Sequence, residues 1–371
     1  MSSILSHSRP QRSSVALTAV ALAAVSLAAC GRGARSDPAP ARPAFINIPQ
    51  MSGTTALLQA VSVVDSEVVW VSGHEGTYLR TTDGGATWHA AVVPGADSLQ
   101  FRDVYAVSAD TAYLMSSGNG ELSRIYKTTD GGTSWKLQFT NREPKGFYDC
   151  MAFWDSDHGI AMSDEVGGRF PIIFTDDGGT HWRPVDSAAL PSALPGEGSF
   201  AASGSCVLAR APGRAWIGTG NSSASRVMRT ADRGQSWSVA TTPLPSGAGI
   251  GIASVAFRDD LHGVVLGGSM MDTSSRADNV ARTSDGGASW VTVGRAPFPS
   301  AVYGASYVPG ARIPTLVAVG PGGAAASLDD GRSWTPVDTS AYWAVGFASP
   351  AAGWVVGPRG RIKRLAITNG R

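Results

Sequence analysis

Charge is scarce in this 371-residue chain, where Asp, Glu, Lys and Arg together make up 16%, against roughly 25% in an average soluble protein. The 30 basic residues barely outnumber the 29 acidic ones, so nothing points to nucleic acid, whose binding depends on a basic surface. Cysteine is nearly missing, with three in all, and the 43% of hydrophobic residues supply enough core to fold without staples. The six His show no close pair at metal-ligand spacing, so no metal site is expected. Asp155-Ser156-Asp157 lacks the longer ligand pattern of a calcium loop. Gly247-Ala248-Gly249-Ile250-Gly251 resembles a phosphate loop in letters alone, with no helix after it to hold a dinucleotide. No cofactor is expected, and no 12-residue window reads as a convincing amphipathic helix.

What is abundant is glycine, 45 residues, together with 11 Trp. Much of both falls in one octet: TTDGGATW at 81–88 returns as TTDGGTSW, TDDGGTHW, TADRGQSW, TSDGGASW and SLDDGRSW. The copies end at Trp88, Trp135, Trp182, Trp237, Trp290 and Trp334, spaced 47, 47, 55, 53 and 44 residues apart. A period of this size with all-β content indicates propeller blades, each a four-stranded sheet. The second unit shows the plan, with strands at FRDVYAVS, AYLMSS, RIYKTT and SWKLQF separated by turns. Units follow near 57–93, 101–139, 147–186, 200–240, 250–293 and 302–338. The stretch 342–367 has three strand-like runs and no octet, while AFINIP at 44–49 is an orphan strand. Pairing the two closes a seven-bladed ring and removes the open sheet edge; six blades is the competing count.

Arg9 and Arg12 precede the apolar run 15–29, which is too short and Ala-rich for a membrane span and reads as a targeting segment, 1–29. Leu27-Ala28-Ala29-Cys30 resembles the lipobox of bacterial lipoproteins, with cleavage before Cys30 and lipid on its thiol. The resemblance implies an exported, membrane-anchored protein of the bacterial cell envelope. Residues 30–43, rich in Pro, Ala and Arg, read as a tether, 44–367 as the propeller and 368–371 as a tail.

The octet itself resembles the Asp-box, the bacterial neuraminidase repeat, S/T-x-D-x-G-x-T/S-W. Its acids are Asp83, Asp130, Asp177, Asp232, Asp285 and Asp329, and the third copy departs with His181 at the hydroxyl position. Each recurring residue has a mechanical use in a hairpin turn: Asp accepts backbone N–H bonds, Gly takes an angle unfavourable to other residues, and Trp packs on the sheet. Six copies argue for a turn, not a catalytic centre. Sialidases carry Asp-boxes, but nothing before Asp83 matches their F/Y-R-I-P sequence, and Arg312-Ile313-Pro314 comes after five boxes. The arrangement is similar to the photosystem II assembly and stability factor family, seven-bladed propellers that bind a membrane-protein partner without catalysis.

Aligning second strands puts Asp103, Cys150 and Cys206 at equivalent places on inner strands, each ten residues before Tyr113, Ile160 and Trp216. Cys150 and Cys206 are therefore either a disulfide across neighbouring blades or two small buried residues. The loops entering these strands are rich in charge. Arg102, Asp103, Lys145, Tyr148, Asp149, Asp164, Arg169 and Glu197 form the expected patch at one mouth of the channel. The expected function is a lipid-anchored, non-catalytic binding or assembly scaffold for a protein or an envelope glycan. The alternative is a glycoside hydrolase using carboxylates at the same mouth.

Overall fold

A computed structural model describes residues 44–368, to which all structural statements refer. The targeting segment, Cys30 and the tether lie outside the described residues, as do the last three positions of the tail. The chain forms seven four-stranded antiparallel sheets, six of them simple meanders, arranged as the seven-bladed β-propeller expected from the repeat. The only helical pieces among the described residues are two short 3-10 turns, Gly120–Leu122 and Ser187–Ala189, and no helix is long and apolar enough to cross a membrane.

The seventh blade is closed by the two chain ends. Ala44–Gln50 pairs antiparallel with Arg361–Thr368, from Ala44 opposite Thr368 to Gln50 opposite Ile362. Gln50 then locks this blade to the first one. Its Oε1 accepts from the indole N–H groups of Trp88 and Trp354, each at 3.1 Å, and its Nε2 donates to the Gly84 carbonyl at 3.2 Å.

Each octet is the turn between a third and a fourth strand. In the first, the Thr81 hydroxyl donates to Asp83 Oδ1 at 2.7 Å and accepts from the Gly85 N–H at 2.9 Å. Asp83 also accepts from the Thr87 N–H at 2.9 Å and the Thr87 hydroxyl at 2.5 Å. His181 replaces that hydroxyl in the third copy, with Nδ1 2.6 Å from Asp177 Oδ2. These donors favour the ionised carboxyl: Asp83, Asp130, Asp177 and Asp285 are held down at about 2. Asp232 and Asp329 are lowered too, against burial that pulls the other way.

The turns also join blades. The Tyr78 hydroxyl donates to the Gly132 carbonyl, that of Tyr113 to Gly178, and the Trp216 indole N–H to Gly286, at 2.7, 2.7 and 2.9 Å. In each case the donor belongs to the preceding blade, so the octet carries a blade-to-blade contact as well as a strand reversal. Octet tryptophans add to it: Trp135 meets Trp70 and Tyr78 of the first blade edge-on, with ring centres 6.1 and 5.0 Å away. His158 and His262 cap the matching turns by bonding Asp155 and Asp259.

One boundary departs from the sequence reading. The fourth blade begins at Val207–Arg210, not near Phe200. The run FAASGSC is apolar enough to pass for a strand, but Gly204 sits at φ +76° against the Asp103 carboxyl, and 199–205 instead cross the central channel. Supports come from opposite sides of the ring. Gln59 Nε2 donates to the Ala201 carbonyl at 2.8 Å, the Ser203 hydroxyl to the Tyr303 carbonyl at 2.7 Å, and the Ser205 hydroxyl to Ser254 Oγ at 2.8 Å.

Candidate functional site

The crossing segment divides the axis of the ring into two cavities that share no lining residue. The inner one, about 370 Å³, is walled by inner-strand residues such as Val61, Tyr105, Phe153 and Val255. The outer one, about 350 Å³, opens at the mouth where the inner strands begin. Octet turns lie at the other end of every blade that carries one, because a third strand runs parallel to the first. They bond the turns between first and second strands, as Gly131 N–H does with the Asp110 carbonyl at 3.0 Å.

A repeated backbone irregularity builds the mouth. Register shifts fall between Leu58 and Ala60, Phe101 and Asp103, Tyr148 and Cys150, and Ile252 and Ser254. Each leaves one unpaired residue, and a bulge of this kind re-aims a side chain. Three of these residues, Gln59, Arg102 and Asp149, line the mouth. Tyr303 and Trp343 hold the corresponding places just ahead of the sixth and seventh inner strands and meet edge-on at 5.2 Å. Phe147, Phe200 and Met270 complete the apolar part of the wall.

Asp149 is fully buried and in hydrogen-bond contact with Asp164. Burial, then the charge of Asp164, push Asp149 well above the ordinary carboxyl range, opposed by Arg102. Asp164 is raised to about 6, chiefly by burial, with the Ser199 N–H and Asp149 pulling it back. Two carboxyls in contact cannot both be ionised without another cation, so near neutral pH the pair shares a proton. Arg102 is already engaged: Nε and Nη2 donate to Gln100 Oε1 at 3.1 and 2.6 Å, and its guanidinium lies 5.9 Å from the centre of the Phe147 ring.

The other expected residues separate. Asp103 lies beneath the crossing segment in the inner cavity, where burial raises it to about 8 while its Oδ2 accepts from the Met151 N–H at 2.7 Å. Lys145 and Arg169 are exposed and do not line the mouth. Tyr148 and Glu197 are corrections. Tyr148 is buried against Phe139, ring centres 5.2 Å apart, because it lies on the opposite side of the strand from Asp149. Glu197 is buried as the counter-ion of Arg226, which donates from Nε at 2.8 Å and from Nη2, and it accepts from the Thr219 hydroxyl at 2.6 Å. Sequence reasoning missed Gln59, Tyr303 and Trp343: Gln59 and Trp343 keep the spacing of Arg102 and Asp149, 11 residues before Trp70 and Trp354, whereas Tyr303 stands 14 before Val317 because the turn between the first two strands of its blade is longer.

Cys150 and Cys206 are joined by a disulfide, Cα atoms 6.0 Å apart, tying the third inner strand to the end of the crossing segment. No cluster of three or more potential metal ligands occurs among the described residues.

No family model matches the chain, and no curated protein matches it. Among solved structures it is similar in fold to one described as YCF48 bound to D1 peptide, with TM-score 0.59, 19% identity, and 89% of this chain and 99% of that one covered. YCF48 from Cyanidioschyzon merolae gives TM-score 0.61 at 17% identity over 87% of this chain and 99% of the other. A GH74 xyloglucanase from Xanthomonas campestris also gives 0.61, at 15% identity, with 87% of this chain aligned to 55% of the enzyme. At these identities the likeness establishes the seven-bladed propeller fold.

Proposed function

We propose that this chain is an exported, lipid-anchored Asp-box propeller that acts as a non-catalytic binding scaffold, its mouth receiving a segment of a partner protein. The observation that carries the reading is the mouth itself: a cavity of about 350 Å³ lined by aromatic side chains and a few convergent polar groups, the composition of a binding site. The similarity to YCF48, recorded with a D1 peptide, supports a protein segment as the ligand class. Export and anchoring rest on the targeting segment and on Leu27–Cys30.

The carboxyl geometry favours binding over the hydrolase alternative. Glycosidases hold their two carboxyls about 5 to 10 Å apart so that a sugar carbon, or a sugar and a water, fits between. Asp149 and Asp164 touch, which leaves no room for either arrangement.

The test is site-specific photocrosslinking in cells, with the crosslinker at Trp343 on the mouth or at Thr87 on the octet face. A protein captured from Trp343 and absent from Thr87 is the expected result. Equal capture from both, or none, counts against the mouth, and a captured glycan would replace the protein partner by an envelope polysaccharide. Loss of membrane fractionation in Cys30→Ser tests the anchor.

A further inference from the structure

Asp149 Oδ2 is fully buried and accepts no hydrogen bond from any N–H or O–H group of the described residues. The Asp149–Asp164 contact does not supply it with an N–H donor, and a cation entering the mouth would satisfy it. Around the ring, the acid pair comes from the third blade and Tyr303 and Trp343 from the sixth and seventh, so acids and aromatics face one another across the cavity. Aromatic faces attract cations, as ionised carboxyls do. Arg102, the basic side chain in the cavity wall, is held by Gln100 and Phe147.

Resting on the mouth reading above, we infer that the mouth recognises a primary ammonium group of the partner segment, a lysine side chain or an amino terminus, seated between the Asp149–Asp164 pair and the Tyr303–Trp343 wall. The ammonium pairs with the singly ionised form of the two carboxyls, the shared proton staying with them, so that the proton released on binding at low pH is the one Asp164 carries. The charged groups facing the pair are Arg102, which opposes the cation, and Glu165, whose charge acts on Asp164. His74 bonds Gln59 at 2.7 Å and, lowered first by burial and then by Arg102, is neutral near pH 7. Asp103 is protonated below the crossing segment. Deprotonation of Asp164 therefore decides how much negative charge the mouth offers. With that group titrating at about 6, its ionised fraction rises about tenfold between pH 5 and pH 7, and affinity for an ammonium rises by roughly the same factor.

The experiment uses protein labelled with 15N at tryptophan, the Trp343 indole signal being assigned through Trp343→Phe. Nα-acetyl-lysine methylamide and alaninamide present a side-chain and a terminal ammonium, and Nα-acetyl-glutamate methylamide is the acidic control. The expected result is a shift of the Trp343 signal by one or both ammonium probes, about tenfold tighter at pH 7 than at pH 5, with the stronger probe naming the source of the group. Asp164→Asn, checked for an unchanged melting temperature, weakens the binding and removes its pH dependence. Tighter binding of the glutamate probe, unchanged lysine affinity in Asp164→Asn, or no Trp343 shift overturns the inference. The scaffold reading fails separately, by the absence of a crosslinked partner at Trp343.

Discussion

Glu197→Gln should be among the most damaging single changes on the mouth side of the ring, although it removes one charge and almost no volume. Glu197 is completely buried and Arg226 is 10% exposed. The carboxylate accepts from Arg226 Nε at 2.8 Å, the Thr219 hydroxyl at 2.6 Å and the Leu194 N–H at 2.8 Å. Neutralising it leaves a guanidinium without a counter-ion in the protein interior, a situation that costs about 3 to 5 kcal/mol. At about 2 °C per kcal/mol for a large domain, the melting temperature falls by roughly 6 to 10 °C. The paired substitution Glu197→Leu with Arg226→Met removes both charges and should recover more than half of the loss, because the cost arises from the orphaned charge and not from the missing bond. Urea unfolding of the parent, both single variants and the double variant measures the cycle. A cost below about 1 kcal/mol for Glu197→Gln, or a double variant worse than the sum of its parts, would refute the reasoning.

Gln50→Ala should cost about 1 to 3 kcal/mol in urea unfolding, since it strips the buried Trp354 indole of its acceptor at the closure of the ring. The disulfide closes a 56-residue separation, so Cys150→Ala with Cys206→Ala should lower stability by about 4 kcal/mol, with no effect once the parent is reduced. The octet acids have folded values depressed to about 2 from 3.8, so their contribution is present above pH 4 and is lost as pH falls towards 2. Melting temperature followed from pH 5 to pH 2 should drop, and less steeply in Asp130→Asn; an unchanged slope in that variant would remove the octets as the cause.

The ring was legible in the sequence because the octet marks the same turn in six blades and its spacing fixes a period. The N-terminal orphan strand and the three-stranded remainder each lacked what the other had, which located the closure. The mouth was legible only in part. Alignment selected Asp103, which lies in the inner cavity below the mouth, and Cys150 and Cys206, which are buried in the core between the third and fourth blades, while the residue one place earlier in the third blade, Asp149, lines the mouth. A one-residue offset exchanges the faces of a strand, and the bulge that produces it leaves no compositional mark. Tyr148 was misplaced by the same alternation. Glu197 was misread because its partner, Arg226, lies 29 residues away, and no local pattern distinguishes a buried counter-ion from a solvated loop acid. The crossing segment was hidden for a different reason: short apolar residues suit a strand and a plug equally well, and Gly204 became informative only with Asp103 beside it.

With the axis blocked at Ala201–Gly204, the propeller is a cup and not a tube. Whatever enters the mouth must leave by the same opening, so entry and exit compete for a single path. A small group seated on the floor is trapped for as long as the rest of its chain covers the rim. For a partner bound as proposed, residence time is then set by the outer contacts, while the floor decides which side chain is admitted. A partner could be exchanged slowly and still be selected sharply, two properties that an open channel would have left coupled to the same contacts.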